Sequence, residues 1–312
     1  VKKFKYFFNN YSKKTMTMRK IKIGAHLPSA GELPTKLGVA NMAIKLEELG
    51  FSSLWVSDHI LMPQIIKADY PFAKNKKATW DTNKPWYDAL IVLSMAAAVT
   101  NKVKLGTAVL VLPLRHPVIF AEQAASIDEQ SKGRLVLGVG AGWLSDEFNA
   151  LNVDFKSRGK ILEEWIQISR NCWSGEPKAF NGTHYTLPEG FLALPRPYND
   201  DIPFLVGGHS KYALKRAATL GDGWLPQQSA LSINPSELIE PINFMRKEAV
   251  SFGNDPEELN VILRINQSSN SSEIISDKLN SLFEIGVKEI IVDIDWSTNS
   301  GPARTADNLL NF

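Results

Sequence analysis

From Ile21 onward, short apolar runs alternate with stretches whose apolar residues recur every three or four positions. The first pattern belongs to strands buried on both faces, the second to helices with one buried face. The runs predict strands over 21–27, 53–57, 103–112, 135–139, 203–206, 223–226, 260–265 and 289–294. Between them, Val39, Ala43 and Leu46 mark a helix that stops at Gly50, and a second helix spans 85–100. The third opens on His116 and Pro117, with proline suited to the first helical position, and ends near Lys132 and Gly133. Ile161, Trp165, Ile168 and Cys172 repeat at helical spacing, so Cys172 reads as a packing residue and not a nucleophile. Ala213, Ala217 and Leu220 mark the fifth helix, and Leu238, Ile242, Met245 and Ala249 the sixth. Ile275, Leu279 and Leu282 mark the seventh, and 303–310 closes the set.

Eight strand–helix units without a break in composition predict an α/β fold, a (β/α)8 barrel of the TIM type, with loop insertions after strands 2 and 4. A doubly wound sheet with a second domain is the competing architecture. The two long connections, 61–84 and 174–201, exceed ordinary turns and are expected to wall or cover the active-site mouth. Residues 1–17 mix lysines, aromatics and asparagines without a period. They are expected to be an N-terminal extension, disordered or non-native, outside a domain running from 18 to 312.

Composition narrows the function classes. Of 312 residues, 44% are hydrophobic and 22% charged, as in an ordinary globular protein. The 35 basic and 33 acidic residues leave a formal charge of +2, which gives no electrostatic case for nucleic acid or a membrane surface. A single cysteine excludes a disulfide framework, fitting a reducing compartment, and cytoplasmic localisation is expected.

Residues 105–142, LGTAVLVLPLRHPVIFAEQAASIDEQSKGRLVLGVGAG, resemble the bacterial luciferase-like monooxygenase superfamily. So do GFSSLWVSDH at 50–59, GAGWLSDEFNALNVDF at 140–155 and PFLVGGHSKYALKRAATLGDGW at 203–224. The GAGW and GGHS blocks are most similar to the branch that uses the deazaflavin coenzyme F420. The resemblance implies a flavin-type cofactor, FMN or F420, a small organic substrate and a homodimer. Monooxygenation with reduced FMN and hydride transfer with F420 both remain open.

Each motif has a chemistry of its own. Asp58 and His59 end strand 2, where barrels present catalytic groups. A histidine titrates near neutral pH, and an adjacent carboxylate is placed to set its charge state. The resemblance gives His59 a catalytic role, with Asp58 beside it in catalysis or cofactor binding. It also implies a non-proline cis bond between Ala108 and Val109, in a bulge that backs the cofactor ring, with Thr107 and Ala108 small enough to make room.

Gly207, Gly208, His209 and Ser210 follow strand 5 and open a helix, an arrangement that cradles phosphate through converging N–H groups. For His209, phosphate contact and solvent exposure are equally open. Gly140, Gly142 and Trp143 suit close backbone approach to the cofactor, since GVGAGW lacks the spacing of a dinucleotide fingerprint. Ala141 stands where luciferases carry a basic phosphate ligand. His26 either faces substrate or is structural; Arg115 and His116 are expected to form the turn and cap before Pro117; Arg134 and Arg158 are expected to pair with acids. Phe72, Trp80, Trp86 and Trp143 are candidate apolar walls.

Other functions fit less well. A metal-dependent barrel hydrolase would place two histidines one residue apart on strand 1, but only His26 is there, and the five histidines form no ligand set. No metal is expected. A non-catalytic flavin- or F420-binding barrel is the remaining alternative, because fold alone never guarantees activity.

Overall fold

The computed structural model describes residues 21–71, 76–78 and 80–311. The expected extension at 1–17 and the candidate wall residue Phe72 lie outside these. Eight parallel strands form the barrel: β1 (Lys22–His26), β2 (Ser53–Val56), β3 (Lys104–Val111), β4 (Leu135–Gly140), β5 (Phe204–Gly207), β6 (Gly223–Leu225), β7 (Asn260–Asn266) and β8 (Glu289–Asp293). After Pro226, residues Gln227–Ser229 continue β6 along β7. Each strand pairs with the next, and β8 returns to β1 in the register Lys22 to Glu289 through His26 to Asp293. That closure excludes the doubly wound sheet.

Eight helices cover the outside: α1 (Val39–Glu48), α2 (Ala89–Val99), α3 (Pro117–Ser131), α4 (Arg158–Trp173), α5 (Lys211–Thr219), α6 (Ser236–Phe252), α7 (Leu279–Glu284) and α8 (Gly301–Leu310). Three of their starts are fixed by side-chain capping. Helix α2 begins four residues later than its apolar pattern suggests, because Asp88 Oδ1 accepts from the N–H groups of Leu90 and Ile91 at 2.9 and 3.1 Å. His116 caps α3, as expected, and Ser210 caps α5 by accepting from Ala213 N–H.

Alternation along the strands separates two apolar layers. Residues such as Leu54, Leu105, Leu137 and Phe204 pack outward under the helices, where Cys172 is also buried. Trp55, Val136, Leu205, Leu225, Ile262 and Ile291 fill the barrel interior. The interior is therefore closed by side chains, and the space for a ligand lies above it, at the C-terminal strand ends.

The two insertions differ in kind. The first, 61–84, follows a strand and contributes Tyr70, Trp80 and Lys84 to the cavity at the barrel mouth. The second, 174–201, supplies none of the residues that line it, so the expectation that it covers the mouth is corrected. It follows helix α4 and so leaves from the opposite end of the barrel. Its hairpin, Phe180–Asn181 with Thr186–Leu187, lies against the outer helices. Glu164 of α4 accepts from Thr183 and His184 N–H at 2.9 and 3.0 Å, and Tyr185 meets the rings of Trp165 and His116.

Candidate active site

A cavity of about 2030 Å³ opens where the strands end. It exceeds the roughly 300–1,000 Å³ that holds one drug-sized ligand, so it has room for a cofactor and a substrate together. Asp58, His59, Ala108, Val109, Gly140, Gly142, Trp143, Gly207, Gly208, His209 and Ser210 all line it. Thr107 does not. On the strand it faces away from Ala108, is fully buried, and donates its hydroxyl to Gly138 O at 2.7 Å.

One wall is built by a bulge in β3. The Ala108–Val109 bond is cis, and the pairing with β4 slips between Thr107 and Leu110. Val109 therefore leaves the strand plane and enters the cavity wall. It fits because Gly140 and Gly207 flank it without side chains: a Cβ on either would lie 2.8 Å from a Val109 methyl. The result is a small apolar platform of Ala108 and Val109, suited to the face of a planar ring.

Beyond the platform the chain turns from β5 into α5. Gly208 adopts φ +106°, open to glycine but strained for other residues, and turns the chain into the first turn of α5. The helix start carries partial positive charge, and Ser210 keeps its hydroxyl proton free to donate while its oxygen caps Ala213. Arg158 lines the same end. Instead of pairing with an acid, as its sequence position suggests, it donates to the carbonyls of Gly142 and Phe155 at 3.1 and 2.8 Å and lies over the Phe155 ring. Among the described residues no carboxylate pairs with it. Burial and the neighbouring Arg216 guanidinium lower its pKa, so an anion arriving here would relieve both. Arg134 departs from expectation similarly, donating to four backbone carbonyls and Thr100 Oγ1. His209 accepts from Gln227 N–H at 3.2 Å, and burial lowers its pKa.

Opposite stands His59. The carboxylate beside it in sequence is not its partner: Asp58 accepts from Val111 N–H at 2.9 Å and from Arg115 at 2.6 and 2.8 Å. Successive residues point apart, so Asp58 turns into the protein while His59 turns to Glu147. His59 Nδ1 lies 3.0 Å from Glu147 Oε2, and Glu147 Oε1 accepts from Ile60 and Leu61 N–H at 2.6 and 3.1 Å. Surrounded by donors, this carboxylate keeps the proton on Nδ1 and leaves Nε2 for the cavity. Glu147 sits on a short helix, Ser145–Ala150, within a block the sequence singled out for its resemblance and for Gly140, Gly142 and Trp143, not for this acid. Its flanking Leu144 and Phe148, both buried, mark an acid on a core-facing turn. Trp86, Trp143 and Trp80 stand 4.7, 6.1 and 6.4 Å from the His59 ring, centre to centre, and shield it from bulk water.

His26 also lines the cavity, within 2.9 Å of Ser57 Oγ and 3.8 Å of Asp293 Oδ1. Burial, then Arg264, push its pKa down from 6.5 to about 4, against the opposing pull of Asp293. The unfolded chain therefore takes up this proton first. Stability contributed by the neutral ring is fully present above about pH 6.5 and is lost as pH falls towards 4, to a limit of about 3 kcal/mol. Urea melts at pH 7 and 4.5 should show that loss in the parent and a flatter profile in His26→Gln; equal pH slopes would refute it. Asp293 titrates below this window. Burial tends to raise its pKa, but Arg264 and His26 carry it down to about 2.

A closed parallel barrel that gathers Ala108 and Val109, the turn from Gly207 to Ser210 and His59 around one cavity at its C-terminal strand ends is a (β/α)8 barrel with a ligand-sized site at its mouth. The chain belongs to the luciferase-like monooxygenase family, whose model matches residues 20–283. An uncharacterized protein of Mycobacterium tuberculosis is 30% identical over 264 residues, 84% of this chain and 86% of that protein. An F420-dependent glucose-6-phosphate dehydrogenase of Kineococcus radiotolerans is 30% identical over 209 residues, 66% of this chain and 56% of the relative.

Among solved structures, an F420-dependent secondary alcohol dehydrogenase in complex with an F420-acetone adduct superposes with a TM-score of 0.73 at 19% identity, covering 93% of this chain and 98% of its own. The FMN-bound oxygenating constituent of 3,6-diketocamphane monooxygenase, from a Pseudomonas putida plasmid, gives 0.70 at 14%, covering 93% and 96%. These two likenesses establish the shared fold. Among the described residues no helix is long and apolar enough to cross a membrane.

Proposed function

We propose that this protein is an F420-dependent oxidoreductase acting on a small organic substrate in the cytoplasm. The observation that carries the reading is the convergence of three features on one cavity: the Ala108 and Val109 platform, the cradle from Gly207 to Ser210 with Arg158 beside it, and His59 held by Glu147. F420, when bound, supplies a carbon that gives or accepts a hydride. The cradle's backbone N–H groups and Ser210 would hold its phosphate, and the platform would back its ring. Lys156 and Arg158 line the cavity beyond the cradle, beside an Arg216 held by Glu163 at 2.9 Å, and favour an anionic tail longer than the single phosphate of FMN. His59 is placed to exchange the substrate proton at Nε2, with Glu147 fixing Nδ1, while the tryptophans exclude water.

A second reading, monooxygenation with reduced FMN, is favoured by that same dry aromatic enclosure. The homodimer belongs to the proposal as well: α2 carries no charged residue and leaves Ile91 and Met95 exposed on its outer face. Fluorescence titration of the purified protein decides between cofactors. F420 should saturate at micromolar concentration or below, with FMN about tenfold weaker or worse. The reverse order overturns the F420 reading in favour of FMN, and failure of both overturns the proposal. Tight binding of either without turnover on any of a broad substrate panel would leave a binding protein instead of an enzyme.

A further inference from the structure

The ends of β1, β2, β7 and β8 bring to the cavity a polar group that the cofactor does not need. His26 and Ser57 are hydrogen-bonded at 2.9 Å, and Asp293 is gripped by Arg264 and accepts from Ser268 N–H at 3.1 Å. His26, Ser57, Arg264, Asn266 and Asp293 all line the cavity. The charges cancel locally: Arg264 is engaged by Asp293, and His26 is neutral at physiological pH because burial and Arg264 disfavour its cation. What remains are neutral donors and acceptors. Asn266 Oδ1 is a buried oxygen with no hydrogen-bond partner among the described residues, so the group that completes it is a donor. A carboxylate or phosphate placed between Ser57 and Asn266 would find Arg264 already engaged and would face the Asp293 carboxylate, although Lys36 and Lys84, on the loops after β1 and β2, also line the cavity. The wall nearest His59 is aromatic, formed by Trp80, Trp86 and Trp143, with the indole N–H groups of Trp80 and Trp86 buried and without a hydrogen-bond partner among the described residues.

We infer that this floor recognises the hydroxyl group of an uncharged, apolar-bodied alcohol, with Ser57, oriented by His26, as the contact and Asn266 Oδ1 as the second acceptor. The inference rests on the oxidoreductase reading only in calling that alcohol the substrate.

The test uses the purified protein and three probes of matched shape: cyclohexanol, cyclohexanecarboxylate and cyclohexylamine. Binding is read by calorimetry and by tryptophan fluorescence. Cyclohexanol should give a saturable signal, with both charged probes about tenfold weaker or worse. Ser57→Ala and His26→Gln should each weaken cyclohexanol by about fivefold or more and leave the F420 titration unchanged. Circular dichroism checks that each variant folds, and Ser57→Ala, which removes one oxygen, carries the test if His26→Gln does not. Carboxylate binding as tight as the alcohol, no saturable alcohol signal, or parental alcohol affinity in Ser57→Ala would each overturn the inference. If neither F420 nor FMN binds while alcohol discrimination holds, the oxidoreductase reading falls and the alcohol site stands. If F420 binds and discrimination is absent, the alcohol site falls and the oxidoreductase reading stands.

Discussion

Turnover of a His59→Ala protein should fall by a factor of about 10²–10⁴, the usual worth of a positioned acid–base group, while its affinity for cofactor stays near that of the parent. The ring stands in the cavity with Nδ1 committed to Glu147, so what the substitution removes is proton exchange at Nε2. Glu147→Gln is the sharper experiment. The amide can still accept from Ile60 or Leu61 N–H, yet its NH₂ facing Nδ1 favours the opposite tautomer and puts the proton on Nε2. The maximal rate should drop by about tenfold or more with KM and cofactor affinity little changed. Glu147 is a positioning residue, and a merely structural one would shift stability without splitting the maximal rate from KM in this way. Equal losses of rate and cofactor affinity in His59→Ala would mean that the histidine only shapes the pocket.

The elements were legible because the strands are buried on both faces and the helices on one, so the period of the apolar residues carried the architecture. That Ala108, Val109, Gly207 to Ser210 and His59 gather at one cavity was legible for another reason. They lie in contiguous motifs at strand ends, where position in the barrel gives each a direction. Pairings between distant segments were not. Glu147 meets His59 across 88 positions, and nothing local to either residue announces the other. Proximity in sequence even points to the wrong partner, since the Asp58 carboxylate is taken by Arg115 and Val111 N–H while His59 reaches Glu147.

The misplacement of 174–201 has the same origin: length marks an insertion, but only the preceding element says which end of the barrel it leaves from. Arg264 and Asp293 stand in plain view as charges within the apolar runs VILRI and IIVDI. A buried ion pair is the economical reading of such a pair, but their register beside His26 emerges only when β8 closes on β1.

The largest loss of stability is expected at Asp58. Its side chain is fully buried, and both oxygens are taken up by Arg115, itself only 10% exposed, with Val111 N–H as a third donor. Burial alone would lower the pKa of the Arg115 guanidinium, yet Asp58 beside it more than offsets that and raises it. Asp58→Ala would leave that cation facing only Asp88, whose carboxylate is 42% exposed and whose attraction is correspondingly screened. Breaking a buried pair from one side costs about 3–5 kcal/mol, which for a domain of this size lowers Tm by on the order of 10 °C.

Removing both charges together, as in Asp58→Ala with Arg115→Met, should recover part of the loss, because no charge is then left buried without its partner. Calorimetry on the three proteins separates the terms. If the double variant is no more stable than the single one, the cost lies instead in the Val111 N–H left without an acceptor, at the strand end that follows the Val109 bulge. A direct part for Asp58 in cofactor binding would show differently, as weaker F420 affinity measured well below the melting transition.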